Sequence, residues 1–137
     1  MRQPLLLDTC AALWIVAGEL PAPAAKAIAE FYEAGLATYV SPITAWEVGV
    51  LARKGRFASS LAPARWFERL MAIPGTSLAD MPPKVLLASA FLTGLATNDP
   101  ADRIIAATAR EYGFTVVTSD RALLAYGKQG YLSVLEC

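Results

Sequence analysis

NDPADRIIAATAREYGFTVVTSD, the stretch from Asn98 to Asp120, decides the fold. Asp99 followed by Pro100 marks a helix start, because an Asp oxygen accepts orphan N–H groups and Pro is tolerated at the first helical position. Asp102 falls in the first turn, where a carboxylate also suits the helix dipole. Ile104, Ile105, Thr108 and Ala109 recur with helical spacing, and the helix stops near Gly113. Phe114 to Val117 is a β-branched run of strand length. Thr118-Ser119-Asp120 then leads into a further helix, Arg121 to Tyr126. A helix therefore feeds a buried strand, with carboxylates at both junctions.

The same pattern recurs outward from this stretch. Leu5-Leu6-Leu7 is a short apolar run that ends at Asp8-Thr9 and turns into a helix from about Cys10 to Ala17. Pro21 and Pro23 open a second helix, Ala24 to Ala34, which Gly35 closes, and the pair makes the long crossover that parallel strands require. Ala37 to Val40 is the second strand. Ser41-Pro42 starts a helix with Ile43, Trp46, Val50 and Leu51 on an apolar stripe and Glu47 close beside it. Trp46 reads as a core or interface residue. Arg53, Lys54 and Arg56 end this helix around Gly55. Pro63 to Met71 is amphipathic, Thr76 to Leu78 is a weak third strand, and Pro82-Pro83 opens a helix from Lys84 to Leu92. Leu132 to Leu135 forms a final edge strand. The order predicts a single domain, residues 1–137, of α/β class: a three-layer α/β/α sandwich with a central parallel sheet.

Of the 137 residues, 55% are apolar, which fits a sheet covered on both faces or a large partner surface. No uncharged run reaches the roughly 18 to 20 residues of a membrane helix. Asp8 interrupts the only signal-like segment, so a cytoplasmic protein is expected. Cys10 and Cys137 have no metal or redox spacing, as in a reducing compartment. The formal net charge of +0 does not advertise a nucleic-acid binder. A local basic patch remains possible: Arg53, Lys54 and Arg56, with Arg65 and Arg69 on the next helix, are the candidates for contact with a phosphate backbone. The same cations are also ordinary partners of a helix C-terminus. The chain contains no histidine, which removes Ser-His-Asp and Cys-His nucleophiles and His-ligated zinc together.

Catalysis must then run on carboxylates, hydroxyls, Lys, Arg or a metal held by oxygen. Asp8 follows the first strand, Asp102 begins the helix that returns into the fourth, and Asp120 follows the fourth. In open α/β sheets that carboxyl rim binds ligands, above the point where strand order reverses. If strands one and four are neighbours there, Asp8 and Asp120 face one cleft, and Glu47 leans over the same rim. Singly, Asp8 is explained as an N-cap and Glu47 as a solvated residue. Jointly they form a carboxylate cup that needs a cation. Oxygen-only ligands suit Mg²⁺ or Mn²⁺, and such ions support hydrolysis of a phosphodiester.

Leu6-Leu7-Asp8-Thr9, Ser41-Pro42-Ile43-Thr44-Ala45-Trp46-Glu47, the run from Asp99 to Ala109, and Thr118-Ser119-Asp120 resemble the PIN-domain ribonucleases. The likeness is to the VapC-type toxin half of VapBC toxin–antitoxin pairs, over essentially the whole chain. The resemblance implies that Asp8, Glu47, Asp102 and Asp120 bind Mg²⁺ or Mn²⁺ and activate water in a metal-dependent endoribonuclease. Thr9, Asp99 and Thr118 would support them, Asp99 mainly as the helix cap. It further implies RNA as substrate, a homodimer, and a cytosolic antitoxin whose C-terminal segment blocks the cleft. Many relatives carry a histidine where this chain has Thr97. The alternative is a catalytically inactive PIN-fold module that binds RNA or protein, but such a module has no need to concentrate acids where a phosphate must lie. A phosphoacceptor domain would want paired acids after the first strand and a late lysine; Asp8 stands alone and no lysine follows Val117.

Overall fold

A strand of three leucines with no polar position must lie at the centre of a sheet that is covered on both faces. In the computed structural model, which describes residues 2–137, β1 (Leu5–Leu7) is wholly buried and has a parallel neighbour on each side. The elements follow as α1 (Thr9–Ala17), α2 (Ala22–Glu33), β2 (Thr38–Val40), α3 (Pro42–Arg53), α4 (Pro63–Met71), β3 (Thr76–Leu78), α5 (Pro83–Ala90), α6 (Pro100–Tyr112), β4 (Thr115–Thr118), α7 (Arg121–Lys128) and β5 (Ser133–Glu136). The sheet order is β3-β2-β1-β4-β5 and every pairing is parallel. Leu5 sits opposite Thr38 on one side and Thr115 on the other.

Successive strand residues point to opposite faces, which divides the core in two. Leu6 and Val116 pack with Ile105, Ala106 and Ala109 of α6 and with Leu123 and Tyr126 of α7. Leu5, Leu7, Val40 and Val117 pack with Ala11 and Ala12 of α1, Val48 of α3, and Trp66 and Leu70 of α4. Each leucine so buried stabilises the fold by ~1.5–3 kcal/mol relative to exposure. Two helical layers around one parallel sheet are the expected three-layer sandwich. At the turn from α6 into β4, Gly113 takes φ 71° while its N–H donates to the Ala109 carbonyl at 2.9 Å, a left-handed cap that favours glycine.

The elements expected from sequence are present in the expected order, with ends shifted by one or two residues. The inward face of α3 differs. Its buried residues are Thr44 and Val48, with Glu47 and Leu51 half-buried beside them. Trp46 is 55% exposed, which corrects the core half of the core-or-interface expectation. The inward stripe is one position out of register with the apolar one because two of its members are polar. Among the described residues no helix is long and apolar enough to cross a membrane.

From β1 the chain steps to β2 and β3 on one side, then to β4 and β5 on the other. Strand order therefore reverses between β1 and β4, and the crevice beyond their carboxyl ends is where this architecture accommodates ligands.

Candidate active site

Four helices begin at that rim. α1, α3 and α7 leave β1, β2 and β4 directly, and α6 must start at the same edge because it returns into the parallel strand β4. Their N-caps are Asp8, Ser41, Asp120 and Asp99. The positive ends of four helix dipoles thus meet a group of carboxylates.

Asp8 is the deepest of these, 3% exposed. Its N–H donates to the Val117 carbonyl at 3.1 Å, which seats the residue against the end of β4. Oδ1 accepts from the Ala11 N–H at 2.8 Å and Oδ2 from the Thr118 hydroxyl at 2.5 Å. Burial raises the Asp8 pKa, the bonds from Thr118 and Ala11 oppose that, and the charge of Asp120 adds to it. The fully buried Thr118 hydroxyl also accepts from the Asp120 N–H at 2.9 Å, so one oxygen ties the two acids together. Asp120 Oδ2 accepts from the Leu123 N–H at 2.9 Å and caps α7.

Glu47 enters from α3 and accepts a hydrogen bond from the Thr9 hydroxyl, which lies 3.2 Å from the buried Thr44 hydroxyl. Burial raises the Glu47 pKa, the Thr9 bond lowers it, and Asp99 and Asp8 raise it further. Asp102 is pushed up to about 8, chiefly by burial, then by Asp99 and Asp120, by a hydrogen bond shared with Asp99, and by Glu47. Cys10 senses all of them. Its thiol is pushed up to about 11 by burial and then by Asp8, Glu47, Asp102 and Asp120. Four acids from four segments therefore act on one neighbourhood. Among the described residues none of the four has a lysine or arginine within ion-pair distance.

A scan against protein-family models matches residues 5–129 to the PIN domain. The chain belongs to the PIN-domain family. Within it the relation is to the VapC type: Ribonuclease VapC22 of Mycobacterium tuberculosis (strain ATCC 25618 / H37Rv) is 30% identical over 122 residues, which cover 89% of this chain and 91% of that protein. Two solved structures share the fold at lower identity. The VapBC2 complex of Rickettsia felis, bound to a DNA fragment from its promoter, superposes with a TM-score of 0.70 at 16% identity, covering 98% of each chain. DNA-bound VapBC of Salmonella typhimurium gives 0.69 at 20% identity, again over 98% of each.

In this PIN domain Asp8, Glu47, Asp102 and Asp120 share one rim, with Thr9, Asp99 and Thr118 hydrogen-bonded among them. Among the described residues no three acidic side chains converge closely enough to ligate one ion as they stand. The donor set is nonetheless what a hard divalent cation prefers: carboxylate and hydroxyl oxygens only, with uncompensated negative charge. Thr97 accepts from the Asp99 N–H at 3.1 Å and belongs to the turn before α6. Arg53, Lys54 and Arg56 are exposed at the far end of α3, about 9 Å or more along the helix axis from Glu47, and do not join the acids. Arg56 and Arg69 line a separate groove of about 480 Å³ with Trp14, Phe57 and Trp66. A cavity of about 790 Å³ lies around Gln3, Gly113 and Ser133 at the amino ends of the strands, away from the acids. Ser41, read as the start of α3, caps it as expected, its Oγ accepting from the Ile43 N–H at 3.1 Å, whereas sequence reasoning missed Thr44. For Thr44 the available signal was its place one helical turn before Glu47.

Proposed function

We propose that this PIN domain is a metal-dependent endoribonuclease, the toxin of a VapBC-type pair, held silent in the cytosol by a cognate antitoxin. The observation that carries the reading is the concentration of Asp8, Glu47, Asp102 and Asp120 on one rim, with no cationic side chain among the described residues paired to them. The relative named as a ribonuclease supports it. A binding module has no use for buried like charges that raise one another's pKa values.

Asp8, Glu47, Asp102 and Asp120 would hold Mg²⁺ or Mn²⁺. Such an ion supplies Lewis acidity, lowering the pKa of water and screening the charge that develops on phosphate oxygens. The chain's own part is to keep the ligands aimed. Thr118 fixes Asp8 through Oδ2 and is itself fixed by the Asp120 N–H. Thr9 does the same for Glu47. In hydrolysis, water oxygen bonds to phosphorus as a ribose–oxygen bond to phosphorus breaks. The proton lost by water passes to a free oxygen of one of these carboxylates, which returns it to the departing ribose oxygen. Removing bulk water from a rim of helix N-termini strengthens each of these interactions.

RNA single-stranded at the cleavage site would meet the rim by its backbone, with Arg53, Lys54 and Arg56 available to phosphates further along the strand. The negative rim also favours a basic antitoxin segment, which would exclude cation and substrate together. A homodimer is part of the same proposal.

The test is cleavage of total cellular RNA by antitoxin-free protein with Mg²⁺ or Mn²⁺ against EDTA, beside Asp8→Asn. Asn is as good an N-cap as Asp, so the variant keeps α1 in place. Discrete metal-dependent fragments that are absent with Asp8→Asn are expected. Equal cleavage by both proteins, or none by folded wild type with any ion, overturns the reading.

A further inference from the structure

Arg103 directly follows Asp102, yet its guanidinium turns away from the acids. Nε donates to the Ser89 carbonyl at 2.8 Å, Nη1 to Thr97 at 2.9 Å and more weakly to Leu95 at 3.5 Å, and Nη2 to Leu92 at 3.2 Å. Among the described residues it has no carboxylate partner. Ser89 belongs to the last turn of α5, where carbonyls lack helical partners, and the other three lie in the connection 91–99. The Tyr126 hydroxyl donates to the Thr93 carbonyl at 3.2 Å in the same connection. Two side chains thus hold a segment that lacks regular structure of its own.

That segment ends at the rim. The Thr97 hydroxyl accepts from the Asp99 N–H, and Asp99 Oδ2 accepts from the Asp102 N–H at 3.2 Å. A continuous set of contacts runs from the guanidinium through Thr97 to Asp99 and Asp102. A forked guanidinium presents five donors in a plane and spans several carbonyls at once, whereas an ammonium is a single point.

We propose that Arg103 is a positioning residue that clamps the connection 91–99 and thereby sets where Asp99 and Asp102 stand at the rim. Its consequence for cation binding rests on the nuclease reading above. Loosening the clamp removes no ligand but leaves Asp102 spread over several positions, which weakens cation binding.

The experiment compares wild type, Arg103→Lys, Tyr126→Phe and Val85→Ala in the full chain. Val85 is buried in α5 and makes none of the clamp hydrogen bonds, so its truncation controls for general destabilisation. Amide hydrogen exchange of cation-free protein is expected to be about tenfold faster over residues 91–102 in Arg103→Lys. Tyr126→Phe should give a smaller acceleration of the same segment, and β1 and β4 should stay protected in both. Mn²⁺ titrated by calorimetry should bind about five- to tenfold more weakly to Arg103→Lys and unchanged to Val85→Ala. Wild-type exchange over 91–102 in Arg103→Lys overturns the proposal. So does Mn²⁺ affinity lost equally in Val85→Ala, or an Arg103→Lys chain that does not fold, which would make the residue a requirement of the fold. Wild type that takes up no Mn²⁺, with 91–102 still loosened by Arg103→Lys, sinks the nuclease reading and upholds the clamp.

Discussion

Replacing Asp102 by Asn should stabilise the cation-free protein, increasingly so as pH rises above the unfolded carboxyl value. A carboxyl whose folded pKa is raised holds its proton in the native state after the unfolded chain has lost it. Stability is then fully present below the unfolded value and falls as pH rises through the folded one. For Asp102 that window runs from 3.8 to about 8. At full burial the interval corresponds to ~6 kcal/mol of linkage. Asp102 is only half-buried, so screening brings the expected size to ~2 kcal/mol. Asn imitates the protonated acid: it is neutral and its amide can donate to Asp99, while Asp99 still caps the backbone N–H of position 102. A chain of 137 residues has an unfolding entropy of about 0.3 kcal/mol/K, which makes the effect ~7 °C in Tm. Calorimetric scans in EDTA should show Asp102→Asn nearly level with wild type at pH 3.5, below the unfolded value, and about 7 °C above it at pH 9. An equal difference at both pH values, or a variant less stable at pH 9, would refute the account of uncompensated charge.

Thr118→Val removes the hydroxyl between Asp8 and Asp120 and leaves a buried carboxylate oxygen and an N–H without partners, a loss of ~2 kcal/mol visible as a lowered urea midpoint. Thr118→Ser should restore most of it, and a valine variant as stable as wild type would show that the bond contributes little. Gly127→Ala places a Cβ 2.6 Å from Val134 Cγ2 and 3.0 Å from Cγ1, so α7 and β5 must part by a few tenths of an ångström. The expected destabilisation is ~1–3 kcal/mol, seen as a lower Tm and faster amide exchange in β5; an unchanged Tm would mean that the edge strand yields freely.

The sheet was legible because its signals are local and redundant. A leucine run ending in Asp, a Pro after Ser41, and a glycine before a β-branched run each mark one boundary, and their order admits few topologies. The neighbourhood of Asp8 and Asp120 followed once β1 paired with β4. Hydrophobic periodicity failed on α3 for a physical reason: the face turned inward carries Thr44 and Glu47, which satisfy each other through Thr9, so apolarity pointed to Trp46 instead. Arg103 gave no warning of its contacts, since backbone carbonyls leave no mark on composition. Arg53, Lys54 and Arg56 illustrate the reverse case. They cluster in sequence, but the helix that follows Glu47 carries them away from the acids.

The hydroxyl of Thr118 and the carboxylate of Asp8 are 110 positions apart along the chain. Strands in a parallel sheet cannot pair with their immediate successors through a tight turn, so β1 waits for a partner made much later. At ~5–20 residues per second, the ribosome takes about 6–20 s to travel from Asp8 to Thr118. During that interval the first acid exists without the residue that seats it, and the rim has only one of its two central walls. Any hazard in this fold is therefore switched on late in synthesis, which gives a partner supplied at the same time and place a head start.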